Sequence, residues 1–266
     1  MTTGCVKTDP TTGTGLAFAG KQLCCCVLDY IKHLYSIQEY LELYKFLECR
    51  YALNKYCTMT LTAHHFFPSP VYIDEKPEFL TAATVVVGEY LKESRANKKD
   101  PDPLYPLQTN GISGEPVLAQ FNQYIAQTAW DILRDQGFVV NNMGTYIREM
   151  WAQEHLQYQG HDEHVHAHGD QISGFYFVDA PEGACTVAIH DPRPGKLQIN
   201  LEETDKAKVT LASASAIFVP RPGQIFFINS WLPHSITRNV TTAPTRLIHF
   251  NLTVGPAPKA DGPTVV

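Results

Sequence analysis

Apolar residues recur at three- and four-residue steps in three stretches of the chain; through most of the remainder they alternate or form short runs. Leu23, Val27, Tyr30, Leu34, Ile37, Leu41, Tyr44 and Leu47 follow the helical period, so the spacing predicts an amphipathic helix within 23–53. A second helix is predicted from Pro77 to Ser94, running out into the polar sequence Arg95-Ala96-Asn97-Lys98-Lys99-Asp100. A third has Pro116 in its first turn and Gly137 just past its end, with Val117, Phe121, Tyr124, Ile125, Ala129, Ile132 and Leu133 on one face. The segment His64–Ile73 reads as an extended edge strand, because Pro68 and Pro70 cannot donate to a ladder. From Phe138 the pattern changes to short strands: 138–142, 145–153, 172–178, 185–190, 196–200, 208–211, 216–219, 224–228, 235–239 and 246–254. Turns such as Asp191-Pro192-Arg193-Pro194-Gly195 and Pro220-Arg221-Pro222-Gly223 separate them. About ten strands after two helices predict a mainly β fold, a sandwich or jelly roll with flanking helices on one face.

Composition narrows the function classes. The 266 residues carry 21 basic and 27 acidic side chains, a formal charge of −6, which disfavours nucleic acid as a partner because phosphate binding needs a basic face. No apolar run approaches the roughly 20 residues that span a bilayer, and no basic leader precedes a hydrophobic segment, so a cytoplasmic protein without a membrane partner is expected. Six of seven cysteines (Cys5, Cys24, Cys25, Cys26, Cys49, Cys57) fall in the first 57 residues without the spacing of a disulfide framework or a zinc site. That composition marks residues 1–63 as a Cys-rich helical extension, set apart from a main domain at 64–256 and a tail at 257–266. A homodimer is compatible with all of this.

Five of the eleven histidines lie between 155 and 168. Residues two apart on a strand share a face, so His164, His166 and His168 can align, as can His168 and Asp170. Imidazole and carboxylate ligands in that spacing suit a non-haem metal, for which His234 in Trp231-Leu232-Pro233-His234 supplies the distant ligand. Arg246, twelve residues further on, suits an anchor for a carboxylate. A surface histidine loop with adventitious metal affinity is the simpler explanation of any single His-x-His. The partner motif at 222–234 and Arg246 weigh against it here.

These residues carry a resemblance. From about Phe66 to Val254 the chain resembles the 2-oxoglutarate/iron(II) dioxygenase superfamily, and more closely a subfamily of bacterial and phage oxygenases. The matching motifs are His166-Ala167-His168 with Ser173-Gly174-Phe175-Tyr176-Phe177, and Trp231-Leu232-Pro233-His234-Ser235-Ile236 with Arg246 and Phe250-Asn251. The resemblance implies a double-stranded β-helix, Fe(II) as cofactor, 2-oxoglutarate and O2 as cosubstrates, and release of succinate and CO2. It implies either His166/His168/His234 or His168/Asp170/His234 as metal ligands, with no catalytic residue beyond them. Arg246 would anchor the cosubstrate, helped by Tyr176, with Asn142 and Asn251 as further pocket residues. The substrate class stays open between a small molecule and a peptide. Competing readings are a cupin-type metalloprotein without a keto acid and a non-enzymatic jelly-roll binding module. The first is weakened by Ile172 and Ser173 where a cupin places Glu.

Overall fold

The computed structural model describes residues 62–97, 102–166 and 169–257. The expected helix within 23–53, the six amino-terminal cysteines, His168 and nearly all of the tail lie outside the described residues. The chain divides into two units, 1–66 and 67–266, and the following concerns the second.

Two helices precede most of the strands. Helix α1 (Leu80–Asn97) follows a 3-10 turn at Pro77–Phe79, and α2 (Ala119–Asp135) follows one at Pro116–Leu118. Proline opens both turns, where its missing N–H costs nothing. Helix α2 buries Phe121, Ile125, Ala129, Ile132 and Leu133 of the predicted face, whereas Val117 falls in the preceding 3-10 turn and is exposed. It ends where Phe138 N–H donates to Leu133 O at 3.1 Å, with Gly137 at φ +92° allowing the reversal.

The strands are β1 (Val71–Glu75), β2 (Leu107–Gly111), β3 (Met143–His155), β4 (His161–His164), β5 (Asp170–Asp179), β6 (Val187–His190), β7 (Ser215–Phe218), β8 (Gln224–Asn229), β9 (His234–Ile236) and β10 (Thr245–Pro256). They form a six-stranded sheet, β1-β8-β5-β10-β3-β2, and a four-stranded sheet, β4-β9-β6-β7, paired antiparallel throughout. From β3 to β10 the chain passes back and forth between the sheets, which winds it into a double-stranded β-helix, the jelly roll.

The large sheet is buried on both faces. Against its outer face the helices pack Val87, Leu91, Phe121 and Ile125 onto Tyr176, Phe227, Ile248 and Phe250. On its inner face Phe175, Phe177, Phe226, Ile228 and Leu247 meet Val187, Leu232 and Ile236. Each fully buried aromatic or aliphatic side chain contributes roughly 1.5–3 kcal/mol. Double burial explains why β8 is buried at all six positions and lacks the polar alternation of a half-exposed strand.

Three predicted strands are absent. Residues 138–142 form the exit from α2, and Val139 there is 83% exposed. Residues 194–198 form a 3-10 turn opened by Pro194 and tied down by Asp191, which pairs with Arg193 and Lys196. Around 208–211 the side chains of Asp205, Thr210 and Ser213 accept backbone N–H groups that a ladder would need. Strand β2 pairs with β3 at the sheet edge, although Asn110-Gly111 at its end is a turn-type sequence.

Candidate metal centre

Four histidines converge between the sheets. His164 closes β4, and its Cα partner across the ladder is His234, the first residue of β9. His166 follows two residues after β4, fixed by its N–H donating to Ser230 O at 2.8 Å. His249 enters from β10, where odd-numbered residues face the inner space while Ile248 and Phe250 face the helices. One nitrogen of each of these four imidazoles lies within 4.8 Å of the others.

The second nitrogens explain their orientation. Nδ1 of His234 is 2.8 Å from Leu232 O, and Nδ1 of His164 is 2.7 Å from Asp162 O. Carbonyl contacts of this kind fix the tautomer and leave Nε2 for a metal. Nδ1 of His166 is 3.2 Å from the Asn251 amide nitrogen; Asn251 also donates to Glu149 at 3.3 Å and accepts from the Ser173 hydroxyl at 2.8 Å. His249 stacks flat on Trp151, ring centres 4.3 Å apart. Nε2 of His164, His166 and His234 and both nitrogens of His249 are buried without a hydrogen-bond partner. Each such atom costs about 1–3 kcal/mol unless something binds it, so the donor set fits a divalent metal taken by neutral imidazole.

Electrostatics keep His166, His234 and His249 neutral. Burial, then repulsion from neighbouring imidazoles, lowers His234 to about 3 and His166 to about 4, and drives His249 well below the usual range. His155 and His161 are lowered to about 3 and about 4, again by burial first. In the unfolded chain these rings protonate near pH 6.5, whereas the folded chain resists until about pH 4. Between those values the unfolded state binds more protons, so stability falls as pH falls. Metal-free protein is therefore expected to lose up to about 1.4 kcal/mol per pH unit per imidazole in that window. Urea melts at pH 7, 6 and 5 measure it; midpoints that do not move below pH 6.5 would contradict neutral burial.

The other expected site residues are placed as follows. Asp170 pairs with Arg148 at 3.3 Å and is not among the gathered ligand atoms. Asn251 lies inside the site, beside His166. Asn142 sits exposed in the turn before β3, its carbonyl accepting from Ala257 N–H. Arg246 and Tyr176, expected as cosubstrate anchors, both lie on the helix-facing side of the large sheet. The Arg246 guanidinium donates to Glu154 at 2.8 Å and Asp179 at 2.9 Å. Glu154, 1% exposed, also takes a bidentate bond from Arg95 of α1. Burial pushes its carboxyl up, and the two arginines outweigh burial and hold it below the usual range. Tyr176 donates to Lys76 O at 2.8 Å and packs on Phe121. His249 was not singled out from the sequence. The signal available was parity: it stands two residues before Asn251, on the same face of one strand.

Comparison with known proteins adds a family. Residues 149–251 match the model of a family described as "Putative 2OG-Fe(II) oxygenase", a stretch that contains all four clustered histidines. No curated protein sequence matches the chain. Among solved structures, AviO1 from Streptomyces viridochromogenes Tue57 is 12% identical, covering 71% of this chain and 93% of its own, with a TM-score of 0.49. EvdO2 from Micromonospora carbonacea var. aurantiaca is 15% identical over 76% of this chain and 96% of its own, at 0.48. A Pseudomonas putida prolyl-4-hydroxylase is 10% identical over 70% and 92%, at 0.46.

Proposed function

We infer that this chain, whose residues 149–251 match a family described as "Putative 2OG-Fe(II) oxygenase", hydroxylates a small molecule or a peptide residue while converting 2-oxoglutarate to succinate and CO2. The observation that carries the reading is the set of unpartnered imidazole nitrogens of His164, His166, His234 and His249 around one point. In this reading His166 and His234 hold iron, with His164 beside them and His249 across from them. When bound, Fe(II) and its chelated 2-oxo acid supply the activation of O2 that an unactivated C–H bond requires.

The chain's own tasks are orientation and exclusion of water. Carbonyls of Asp162 and Leu232 aim two imidazoles, and the Ser173–Asn251–Glu149 network braces a third. Phe175 stands edge-on to His234 and His249, lining the centre with an apolar wall that keeps solvent from the oxidant. Cys185, the described free thiol, is buried and pushed up to about 11 by desolvation, which suits a packed residue and not a nucleophile.

The test is anaerobic titration with Fe(II) and 2-oxoglutarate followed by O2 and a succinate assay. One iron per chain and succinate well above a His234→Ala background are expected, even without a second substrate. Succinate no greater than that background, with and without candidate amino acids and peptides, would overturn the reading.

A further inference from the structure

Four imidazoles around one point are one more than the proposed chemistry can use. Octahedral iron(II) has six positions; a chelating 2-oxo acid takes two and O2 a third, so the chain can keep three. Yet one nitrogen each of His164, His166, His234 and His249 lies within 4.8 Å of the others. At a bond length of about 2.1 Å, as for zinc-bound imidazole, two ligand nitrogens stand up to about 4.2 Å apart, so a small inward closure brings all four onto one metal. Their outer contacts tell them apart. Nδ1 of His164 is 2.7 Å from Asp162 O, Nδ1 of His234 is 2.8 Å from Leu232 O, and Nδ1 of His166 is 3.2 Å from the Asn251 amide. His249 has no such tether: both its nitrogens are buried without a hydrogen-bond partner among the described residues. Its ring lies on Trp151, centroids 4.3 Å apart and 20° from parallel, with the edge of Phe175 at 4.9 Å. A metal shared with the other three satisfies it, and its withdrawal breaks no hydrogen bond.

We propose that His249 is a fourth, exchangeable ligand, which closes the resting centre together with His164, His166 and His234 and withdraws when the 2-oxo acid chelates. The inference rests on the oxygenase reading and adds regulation of the same site. With His249 in place the centre holds its metal more firmly and offers O2 fewer positions before the cosubstrate arrives. The same ring opposes the cosubstrate, because chelation has to displace it. Apparent affinity for the 2-oxo acid is then lowered by the fraction of chains in which His249 has already withdrawn. One side chain therefore sets metal affinity and cosubstrate affinity against each other.

The experiment loads the full chain with Co(II) without O2 and reads visible absorption and calorimetric titration with 2-oxoglutarate. His249→Phe keeps a ring against Trp151 and Phe175 but cannot ligate, and His249→Leu is a second apolar replacement. Both should weaken Co(II) binding about tenfold or more and change the absorption bands. Both should also bind 2-oxoglutarate about threefold or more tightly once saturated with Co(II), since nothing has to be displaced. With 2-oxoglutarate bound, the spectra of parent and variants should coincide, because His249 is absent from the metal in all of them. X-ray absorption of the unaltered chain needs no variant: the imidazole count at Co(II) should fall from four to three on adding 2-oxoglutarate. Variants with the parent's Co(II) affinity and spectrum would overturn the inference by showing that His249 is not a ligand. Weaker binding of both Co(II) and 2-oxoglutarate, or an imidazole count that does not change, would overturn it by showing that His249 does not withdraw. If the unaltered chain takes up Co(II) and 2-oxoglutarate neither binds nor alters the spectrum, the oxygenase reading itself falls.

Discussion

His234→Ala is expected to abolish stable iron binding and to lower succinate production at least a thousandfold. His234 is fully buried, begins β9 opposite His164, and is aimed by a 2.8 Å contact to the carbonyl two residues before it. Phe175, edge-on to the His234 ring, offers the truncated position no ligand atom. Loss of an outer partner of a ligand typically costs 10- to 100-fold in affinity or activity, and loss of the ligand itself costs more. Iron per chain after anaerobic reconstitution and desalting gives the binding result, and succinate released gives the turnover. The metal-free variant should also resist acid better than the parent, because one fewer imidazole is held neutral against protonation. A variant that keeps one iron per chain and undiminished turnover would remove His234 from the centre.

Much of this was legible in the chain before any coordinates. Turn-bounded strands after two helices pointed to the jelly roll, and histidine density located the centre. Face assignment was the harder part. Side chains on a strand alternate, so a shift of one residue sends a side chain to the other side of the sheet. Arg246 and His249 are three residues apart, as are Ser173 and Tyr176, and each pair divides between the two faces. Spacing to His234 brought Arg246 to notice, but its direction follows from the parity of β10, in which Arg246 shares the helix-facing side with Ile248 and Phe250. The buried carboxylate of Glu154 then fixes the outcome, since only two arginines on the helix side satisfy it. Local side-chain bonds around 205–213 were equally hard to foresee, because the apolar residues there have the pattern of a strand.

The Ser173-Gly174 pair shows how one motif serves both faces of that sheet. Ser173 points inward to Asn251 and Ser230, bracing the histidine site, while Gly174 lies on the outer face opposite Phe250 of β10 and Phe227 of β8. Gly174→Ala is expected to be the most damaging single methyl addition in the large sheet. A Cβ there would fall inside the Phe250 ring's van der Waals contact and 2.5 Å from the carbonyl oxygen of Phe226. The carbonyl belongs to a paired strand and cannot withdraw without breaking its ladder, and Phe250 is fully buried against Phe121 and Phe227. Overpacking a tight core costs typically 1–3 kcal/mol, more where backbone must move. A loss of about 3 kcal/mol or greater is therefore expected in urea unfolding of the metal-free protein. Truncating the obstructing ring should restore part of it: Gly174→Ala with Phe250→Leu is expected to be more stable than Gly174→Ala alone, although Phe250→Leu by itself is destabilising. Additive losses in that double-mutant cycle would show that the ring is not what the methyl meets. Because Ser173 is the adjacent residue, the same strain should reach the inner face, and iron affinity of the single variant should fall with its stability.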